Sequence, residues 1–162
     1  AKLLNEKKYG DILLDLNLQD ESKAISYLKT NGIYEEYIEL WGAGKTRREF
    51  IHSDDLVDAC MYIMKHVNFS DLSKNNIKNT HINIGTGSDL SIAELALLIK
   101  EITQYKGEIK FDISKPDSPM NRLLDCSKIH SLGWKHKIEL EEGIKMMYED
   151  YLQNNKRGTG VK

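Results

Sequence analysis

The sequence predicts a single small domain of the α/β class. Short stretches with strand-like alternation are separated by segments in which apolar residues recur every three to four positions, as they do on helices. The 162 residues can bury a core, but with strands this short they are too few for a complete doubly wound sheet. A net charge of −2, with 40% hydrophobic and 30% charged residues, gives no indication of a nucleic-acid-binding or membrane surface.

The first third of the chain predicts helices followed by two short strands. Residues 1–32 have helical periodicity that is broken near Gly10 and Gly32, since glycine favours turns over helix interiors. Weak alternation then predicts a strand from Tyr37 to Leu40. A second strand is predicted from Arg48 to His52, with successive side chains on opposite faces.

The next predicted element is an amphipathic helix. Ser53 or Asp54 is a suitable N-cap, because a short oxygen-bearing side chain can accept a hydrogen bond from the first free backbone amides. Its predicted buried stripe consists of Leu56, Ala59, Cys60, Ile63, Met64 and Val67. Residues 68–79 are rich in Asn, Ser and Lys and predict a surface loop, and His81 to Ile84 predicts a further strand.

A capping box predicts the start of another helix at Ser91. Ser91 is followed three residues later by Glu94, the spacing at which each side chain reaches the other's backbone amide. The remaining predictions are a strand from Glu108 to Ile113, a loop around Pro116 and Pro119, and a short helix from Asp125 to Leu132. A last helix is predicted from Glu139 to Leu152, and its inward face carries Leu140, Ile144, Met147, Tyr148 and Tyr151. Residues 154–162 are predicted to be a disordered tail.

The segment Trp41 to Asp55 allows two interpretations. Gly44-Lys45-Thr46 resembles the end of a phosphate-binding P-loop, which requires another glycine five positions before Gly44. Glu39 occupies that position, and its carboxylate would repel a triphosphate. The residues after Thr46 predict a strand, although a P-loop needs a helix whose N-terminus attracts phosphate. The sequence therefore argues against ATP or GTP hydrolysis.

Other catalytic and cofactor motifs are incomplete. Gly85-Thr86-Gly87 starts like a dinucleotide-binding fingerprint, but Leu90 stands where the third glycine belongs. No tyrosine has a lysine four positions later, so the Tyr-x-x-x-Lys dyad of short-chain dehydrogenases is absent from this sequence. The five histidines have no zinc-ligand spacing, and Cys60 and Cys126 are expected to be reduced thiols.

A set of residues suited to ligand binding remains. Trp41 offers a flat face for stacking on a base or sugar, and Arg48 carries the planar fork that pairs with phosphate. Lys115, Asp117 and Arg122 lie in the proline-containing loop, where polar groups are free to contact a ligand. The alternatives, a core tryptophan and an arginine held in a structural salt bridge, remain open on these grounds.

The order of these motifs resembles the C-terminal half of the GDP-L-fucose synthase family. The matching segments are Trp41-Gly42-x-Gly44, Arg48-Glu49-Phe50-x-His52-x-Asp54-Asp55, His81 to Gly87, Ser114 to Asp117, Leu123-Leu124-Asp125 and Leu132-Gly133-Trp134. That family consists of GDP-4-keto-6-deoxy-sugar 3,5-epimerase/4-reductases, which are extended short-chain dehydrogenase/reductases. The resemblance runs from about Glu39 to Leu152, and residues 1–38 look like a longer version found in homologues that serve capsular GDP-heptose pathways.

The resemblance implies roles for individual residues. Trp41 and Arg48 match family residues that contact the GDP-sugar, and Asp117 matches an aspartate at the substrate. Arg122 stands where the family has lysine, which keeps the charge but changes its geometry. No residue here matches the family's NADP-binding glycines, its Ser/Tyr/Lys reductase residues or its Cys/His epimerase pair. Accordingly, no catalytic, cofactor-binding or metal-binding residue is assigned in this chain.

The expected domain organisation follows from that partial match. Residues 1–153 are expected to form a substrate-binding domain with a helical lead-in over 1–35, while the NADP-binding Rossmann domain would lie outside this sequence. The resemblance implies a cytoplasmic, homodimeric, NADP-dependent enzyme at full length, and no cofactor is expected to bind this chain alone. Two alternatives stay open: part of another sugar-nucleotide epimerase, dehydratase or reductase-only homologue, and a stand-alone nucleotide-sugar-binding module.

Overall fold

The computed structural model describes residues 21–73, 79–117 and 121–153. The described helices are α1 (Glu21–Thr30), α2 (Ser53–His66), α3 (Phe69–Leu72), α4 (Ile92–Ile102), α5 (Ser127–Ser131) and α6 (Leu140–Gln153), and the described strands are β1 (Tyr37–Trp41), β2 (Arg47–Arg48), β3 (Leu90–Ser91) and β4 (Glu108–Asp112). This confirms the predicted mixed α/β class. The predicted break near Gly10 and the predicted tail over 154–162 lie outside the described residues.

Two strand pairs organise the described chain. Strand β1 runs parallel to β4, with Tyr37 opposite Glu108 and Trp41 opposite Asp112. Strand β2 pairs with β3 in the antiparallel sense. Parallel strands need a crossover connection, and here α2 and α4 both lie in the sequence between β1 and β4. The predicted strands Tyr37–Leu40 and Glu108–Ile113 are thereby confirmed to within one residue.

Gly32 joins helix α1 to strand β1. Its φ of +75° is a left-handed conformation that ends the helix, and the Ile33 amide donates to the Leu28 carbonyl at 2.9 Å. The Glu39 amide donates to the Gly32 carbonyl at 2.7 Å. A Cβ on Gly32 would lie 2.4 Å from the Glu39 carbonyl oxygen. Glycine is required here both by the backbone conformation and by this close approach, and the predicted break at Gly32 is confirmed.

Helix α2 begins and faces differently from the prediction. His52 is the N-cap, not Ser53 or Asp54, and its Nδ1 accepts from the Asp54 amide at 3.2 Å. The predicted buried stripe is largely wrong, because Met64 is 79% exposed and Cys60 is exposed, while Ala59 is fully buried. Asp55, which the apolar pattern ignored, sets the helix rotation: its buried carboxylate faces the chain before α6.

The core lies between α2, α5 and the segment around Trp134. Ala59, Cys126, Ile129 and Trp134 are buried, and Ile51, Tyr62, Ile63, Ile82 and Ile84 pack against them. The Tyr62 hydroxyl donates to the Leu132 carbonyl at 2.8 Å, which ties α2 to the end of α5. Residues 127–131 thus form the short helix predicted within Asp125–Leu132.

Several other predictions require correction. The strand predicted from Arg48 to His52 is only Arg47–Arg48 in the structure, because its partner β3 offers just Leu90 and Ser91 for pairing. His81 to Ile84 forms no strand ladder in the described structure, although Ile82 and Ile84 still pack on the core. Residues 69–72 of the predicted loop are helical. Helix α6 lies where predicted, but two residues of its predicted inward face, Met147 and Tyr151, are 66% and 56% exposed.

Candidate functional site

A cavity opens where the parallel strands β1 and β4 end. Its volume is about 200 Å³, and the described residues that line it are Trp41, Gly44, Thr46, Ile92, Pro116 and Asp117. Trp41 is the last residue of β1 and stands opposite Asp112, and the Gly42 amide donates to the Asp112 carbonyl at 2.9 Å. Ligands of α/β proteins commonly bind beyond the carboxyl ends of parallel strands. The strand pairing therefore brings Trp41 and Asp117, which are 76 positions apart in the sequence, to one cavity.

Trp41 projects into solvent at this cavity. It is 71% exposed, and the ammonium nitrogen of Lys115 lies 5.7 Å from the centroid of its ring. The other tryptophan, Trp134, is only 3% exposed and is the core tryptophan of the chain. The alternative interpretation of Trp41 as a core residue is therefore wrong. An exposed indole with a cation beside it is suited to stack on a flat ligand.

Asp117 is fixed to the turn that follows Trp41. Its Oδ1 accepts from the Ala43 amide at 3.0 Å. A Cβ on Gly42 would lie 2.1 Å from the same oxygen, and Gly42 has a φ of +80°. A side chain at position 42 would thus displace Asp117 as well as strain the backbone. The position of the Asp117 carboxylate therefore depends on the conformation of the turn at Gly42 and Ala43.

The Gly-Lys-Thr segment lacks the geometry of a phosphate loop. Its carbonyls point at helix α4: Ala93 donates to the Gly44 oxygen at 3.0 Å and Ile92 to the Thr46 oxygen at 2.9 Å. The next amide, of Glu94, donates to the Ser91 hydroxyl at 3.1 Å in the predicted capping box. The first amides of α4 are therefore occupied, and the chain after Thr46 continues as β2. This agrees with the argument against a P-loop.

The two arginines after Thr46 have different surroundings. Arg47 donates from Nε to the Asp89 carboxylate and from a terminal nitrogen to the Asp89 carbonyl, both at 2.8 Å, and lies 3.6 Å from Glu94. The hydrogen bond to Asp89 is the main cause of the raised pKa of Arg47. Arg47 therefore clamps β2 to the start of α4. Arg48 is half-buried and donates to the carbonyl of Arg47 at 2.5 Å.

Two of the four predicted substrate-binding residues meet at the cavity. Trp41 and Asp117 line it together, whereas no arginine is among its described lining residues. Arg122 is exposed on the segment before α5. The roles predicted for Arg48 and Arg122 stay predictions.

Glu49 has a role that sequence reasoning missed. Its Oε1 accepts from the Gly87 amide at 2.6 Å and from the Thr86 hydroxyl at 3.2 Å, and its Oε2 accepts from the Leu124 amide at 3.1 Å. Because the Gly87 amide is used in this way, the Gly85-Thr86-Gly87 turn is not free to cradle a dinucleotide phosphate. A signal was present in the sequence: an acidic residue between Arg48 and an apolar residue has no evident use in an exposed strand.

Two aspartates of α2, three positions apart, hold the neighbouring chain in place. Asp55 is 3% exposed and accepts from the Lys137 amide at 3.1 Å and the Ile138 amide at 2.9 Å. Asp58 accepts from the Trp134 indole nitrogen at 2.9 Å and from the Lys137 ammonium at 3.0 Å. These hydrogen bonds, the one from Trp134 first, lower the pKa of Asp58. Helix α2 is thus hydrogen-bonded through Asp55 and Asp58 to the segment that leads into α6.

A second, smaller cavity lies beside the Gly85–Gly87 turn. It measures about 110 Å³ and is lined by Phe50, Thr86, Ser88, Asp89, Leu90, His136, Glu139 and Leu140. His136 Nε2 lies 3.5 Å from the Glu139 carboxylate. Across residues 21–73, 79–117 and 121–153, no group of three or more acidic, histidine or cysteine side chains could hold a metal ion.

The chain is similar in sequence and structure to several known proteins. The NAD dependent epimerase/dehydratase family model matches residues 9–85. GDP-L-fucose synthase of Escherichia coli is 41% identical over 121 residues, which are 75% of this chain and 38% of that protein. A crystal structure of a GDP-6-OMe-4-keto-L-xylo-heptose reductase from C. jejuni is 55% identical with a TM-score of 0.87. The chain is a homologue of GDP-L-fucose synthases and GDP-heptose reductases.

The heptose-related structures match almost all of this chain but less than half of their own length. The match to the C. jejuni reductase covers 95% of this chain and 44% of the reductase chain. A second structure is of a GDP-D-glycero-L-gluco-heptose synthase from Campylobacter jejuni, crystallised in the presence of NADPH. It is 55% identical to this chain with a TM-score of 0.83, and the match covers 93% of this chain and 43% of the synthase chain. The chain thus spans well under two thirds of the relatives it matches.

The likeness includes the mixed α/β fold of an extended short-chain dehydrogenase/reductase. Cys60 and Cys126 are free thiols, as the sequence predicted. Within the described ranges, no helix is both long and apolar enough to cross a membrane.

Proposed function

We propose that this chain is the GDP-sugar-binding portion of an NADP-dependent GDP-4-keto-6-deoxy-sugar epimerase/reductase of the fucose or heptose type. The observation that carries the proposal is the cavity at the ends of β1 and β4, where an exposed Trp41 and an anchored Asp117 face one ligand space. The homology to GDP-L-fucose synthases supports the choice of ligand class.

The cavity suits the base of a nucleotide. Its volume of about 200 Å³ is below the roughly 300–1,000 Å³ of a complete small-molecule site, so a base would fit where a whole nucleotide sugar would not. Trp41 would stack on guanine, and the exposed carboxylate of Asp117 would accept from its ring and amino N–H groups. The diphosphate would extend toward Arg48 and Arg122, whose planar guanidinium groups pair well with phosphate.

A heptose-type substrate is the more strongly supported of the two sugar classes. The GDP-heptose reductase and synthase structures are 55% identical to this chain, whereas the E. coli GDP-L-fucose synthase is 41% identical. One of these structures is of a GDP-6-OMe-4-keto-L-xylo-heptose reductase. We therefore include a reductase without epimerase activity within the proposal.

The proposal gives this chain a binding role and no reaction step. Two groups of amides that could otherwise bind a phosphate are used within the chain: the Gly87 amide donates to Glu49, and the first amides of α4 donate to Gly44, Thr46 and Ser91. NADP would be held by a Rossmann domain outside this sequence. Holding the nucleotide end of the substrate positions the reacting carbon, which is how a binding domain contributes to rate. We also propose, from the likeness alone, a cytoplasmic homodimer at full length.

Calorimetry and activity measurements test the proposal. The full-length protein should bind GDP, bind UDP and ATP much more weakly, and oxidise NADPH when a GDP-4-keto-sugar is supplied. Equal affinity for UDP would favour a different sugar-nucleotide epimerase or dehydratase. GDP binding by a protein whose full coding sequence lacks a glycine-rich fingerprint and a Tyr-x-x-x-Lys motif would favour a stand-alone binding module. Tight binding of ATP would refute the proposal.

A further inference from the structure

Glu49 connects three parts of the chain that are far apart in sequence. It directly follows Arg48, and its carboxylate reaches Thr86 and Gly87 on one side and Leu124 on the other. Leu124 lies two residues from Arg122 in a segment without regular secondary structure. One carboxylate therefore ties the backbone next to Arg48 to the backbone next to Arg122.

The surroundings of Glu49 are shaped to hold its carboxylate. Gly85 is buried, and a Cβ at that position would lie 2.5 Å from Glu49 Oε1, so only glycine leaves room for the carboxylate. On the other side, the buried Cys126 has a raised pKa, caused first by burial and then by the negative charge of Glu49. Hydrogen bonds from backbone amides to a carboxylate are stronger than neutral ones. The contacts at Gly87 and Leu124 thus restrict two loops at once.

We infer that Glu49 is a positioning residue that sets the separation between Arg48 and Arg122. This inference rests on the proposed function, in which these two arginines bind the diphosphate. Arg122 lies on an irregular segment, and the Glu49–Leu124 hydrogen bond ties that segment to the residue that follows Arg48. Two arginines bind one diphosphate well only when their spacing is set before the ligand arrives, because ordering a loop on binding reduces affinity.

Glu49→Gln tests this inference with two probes, GDP and guanosine. Glutamine keeps one accepting oxygen and replaces the other with an amide nitrogen, so the contact with either the Gly87 amide or the Leu124 amide is lost. In the full-length protein, calorimetry should show the Kd for GDP rising by roughly 10-fold, as expected when charge-assisted diphosphate contacts are weakened. The Kd for guanosine, which needs only Trp41 and Asp117, should stay within about twofold.

Two further variants separate positioning from stability. Gly85→Ala keeps the carboxylate but displaces it, and should give the same selective loss for GDP in a milder form; it also serves if Glu49→Gln does not fold. Asp55→Asn weakens another carboxylate that holds backbone amides, at Lys137 and Ile138. It should lower the melting temperature while leaving the affinities for both probes unchanged.

The outcomes distinguish this inference from the proposed function. If neither GDP nor guanosine binds the unaltered protein, the proposed function is wrong. If Arg48→Ala weakens GDP binding but Glu49→Gln and Gly85→Ala do not, the positioning role is wrong and the proposed function stands. Equal losses for GDP and guanosine in both variants would make Glu49 a purely structural residue and would also overturn the inference.

Discussion

The two tryptophans should respond in opposite ways to truncation. Trp41→Ala removes a residue that is 71% exposed, so the substitution removes only roughly 70 Å² of buried apolar surface. Burial of that area contributes at most about 1.8 kcal/mol to the free energy of unfolding. Trp134→Ala removes a side chain that is 3% exposed and hydrogen-bonded to Asp58. Large-to-small substitutions of buried tryptophan cost about 3–5 kcal/mol.

Binding should show the reverse order. Base–aromatic stacking is worth about 1–3 kcal/mol, so Trp41→Ala should raise the Kd for GDP by roughly 5- to 150-fold. Trp41→Phe retains a smaller stacking face and should lose less. Trp134→Ala should leave the Kd of the protein that remains folded close to its original value, because Trp134 does not line the cavity.

Thermal unfolding and calorimetry on the same full-length samples measure both effects. Each 1 kcal/mol shifts the melting temperature by about 2–4 °C in a protein of roughly 150–250 residues and by less in a longer one, so in the full-length protein Trp134→Ala should lower the melting temperature clearly more than Trp41→Ala does. Unchanged GDP affinity in Trp41→Ala would remove Trp41 from the site and with it the main support for the proposed function.

Three further predictions address charge. Arg48→Ala should raise KM for the GDP-sugar by about 10-fold or more through loss of a charge-assisted phosphate contact, as steady-state kinetics would show. Asp55→Ala leaves two part-buried backbone amides without their acceptor and should cost about 3 kcal/mol in urea unfolding, whereas Asp54→Ala, at a side chain that is 72% exposed, should cost far less. Asp58→Asn should flatten the acid side of the stability profile, as measured by unfolding at a series of pH values.

The sign of the pH effect follows from the direction of the Asp58 pKa. Hydrogen bonds from Trp134 and Lys137 lower that pKa in the folded state, so the unfolded chain binds a proton more readily. The stabilisation by Asp58 is complete above the unfolded pKa of about 3.9 and is lost as the pH falls through the lower folded value. An identical acid profile in Asp58→Asn would contradict this assignment, and unchanged KM in Arg48→Ala would exclude Arg48 from the site.

Three local patterns in the sequence predicted local structure correctly. The capping box at Ser91 and Glu94, the strand that begins at Tyr37 and the helix break at Gly32 depend on short-range geometry, and all three are found in the structure. The rotation of α2 was predicted wrongly because an apolar stripe identifies a hydrophobic face but cannot reveal that a buried aspartate binds amides 82 and 83 residues away.

The candidate site was predictable only in part, for a similar reason. Residue chemistry pointed to Trp41 and Asp117, but their meeting at one cavity depends on the parallel pairing of β1 with β4. The role of Glu49 depends on loops 37 and 75 residues further along the chain. Long-range partners of this kind leave no periodic signal in a single sequence.

The parallel pairing of β1 with β4 also has a consequence for folding. The register joins Tyr37 to Glu108 and Trp41 to Asp112, so the pair closes a loop of about seventy residues. Contacts of such high sequence separation carry a large loop-closure entropy and slow the folding of the chains that depend on them. The walls of the cavity come together only once this loop has closed. Protection of the Gly42 amide, which donates to the Asp112 carbonyl, therefore reports in hydrogen exchange how far the chain has progressed toward a state able to hold a nucleotide.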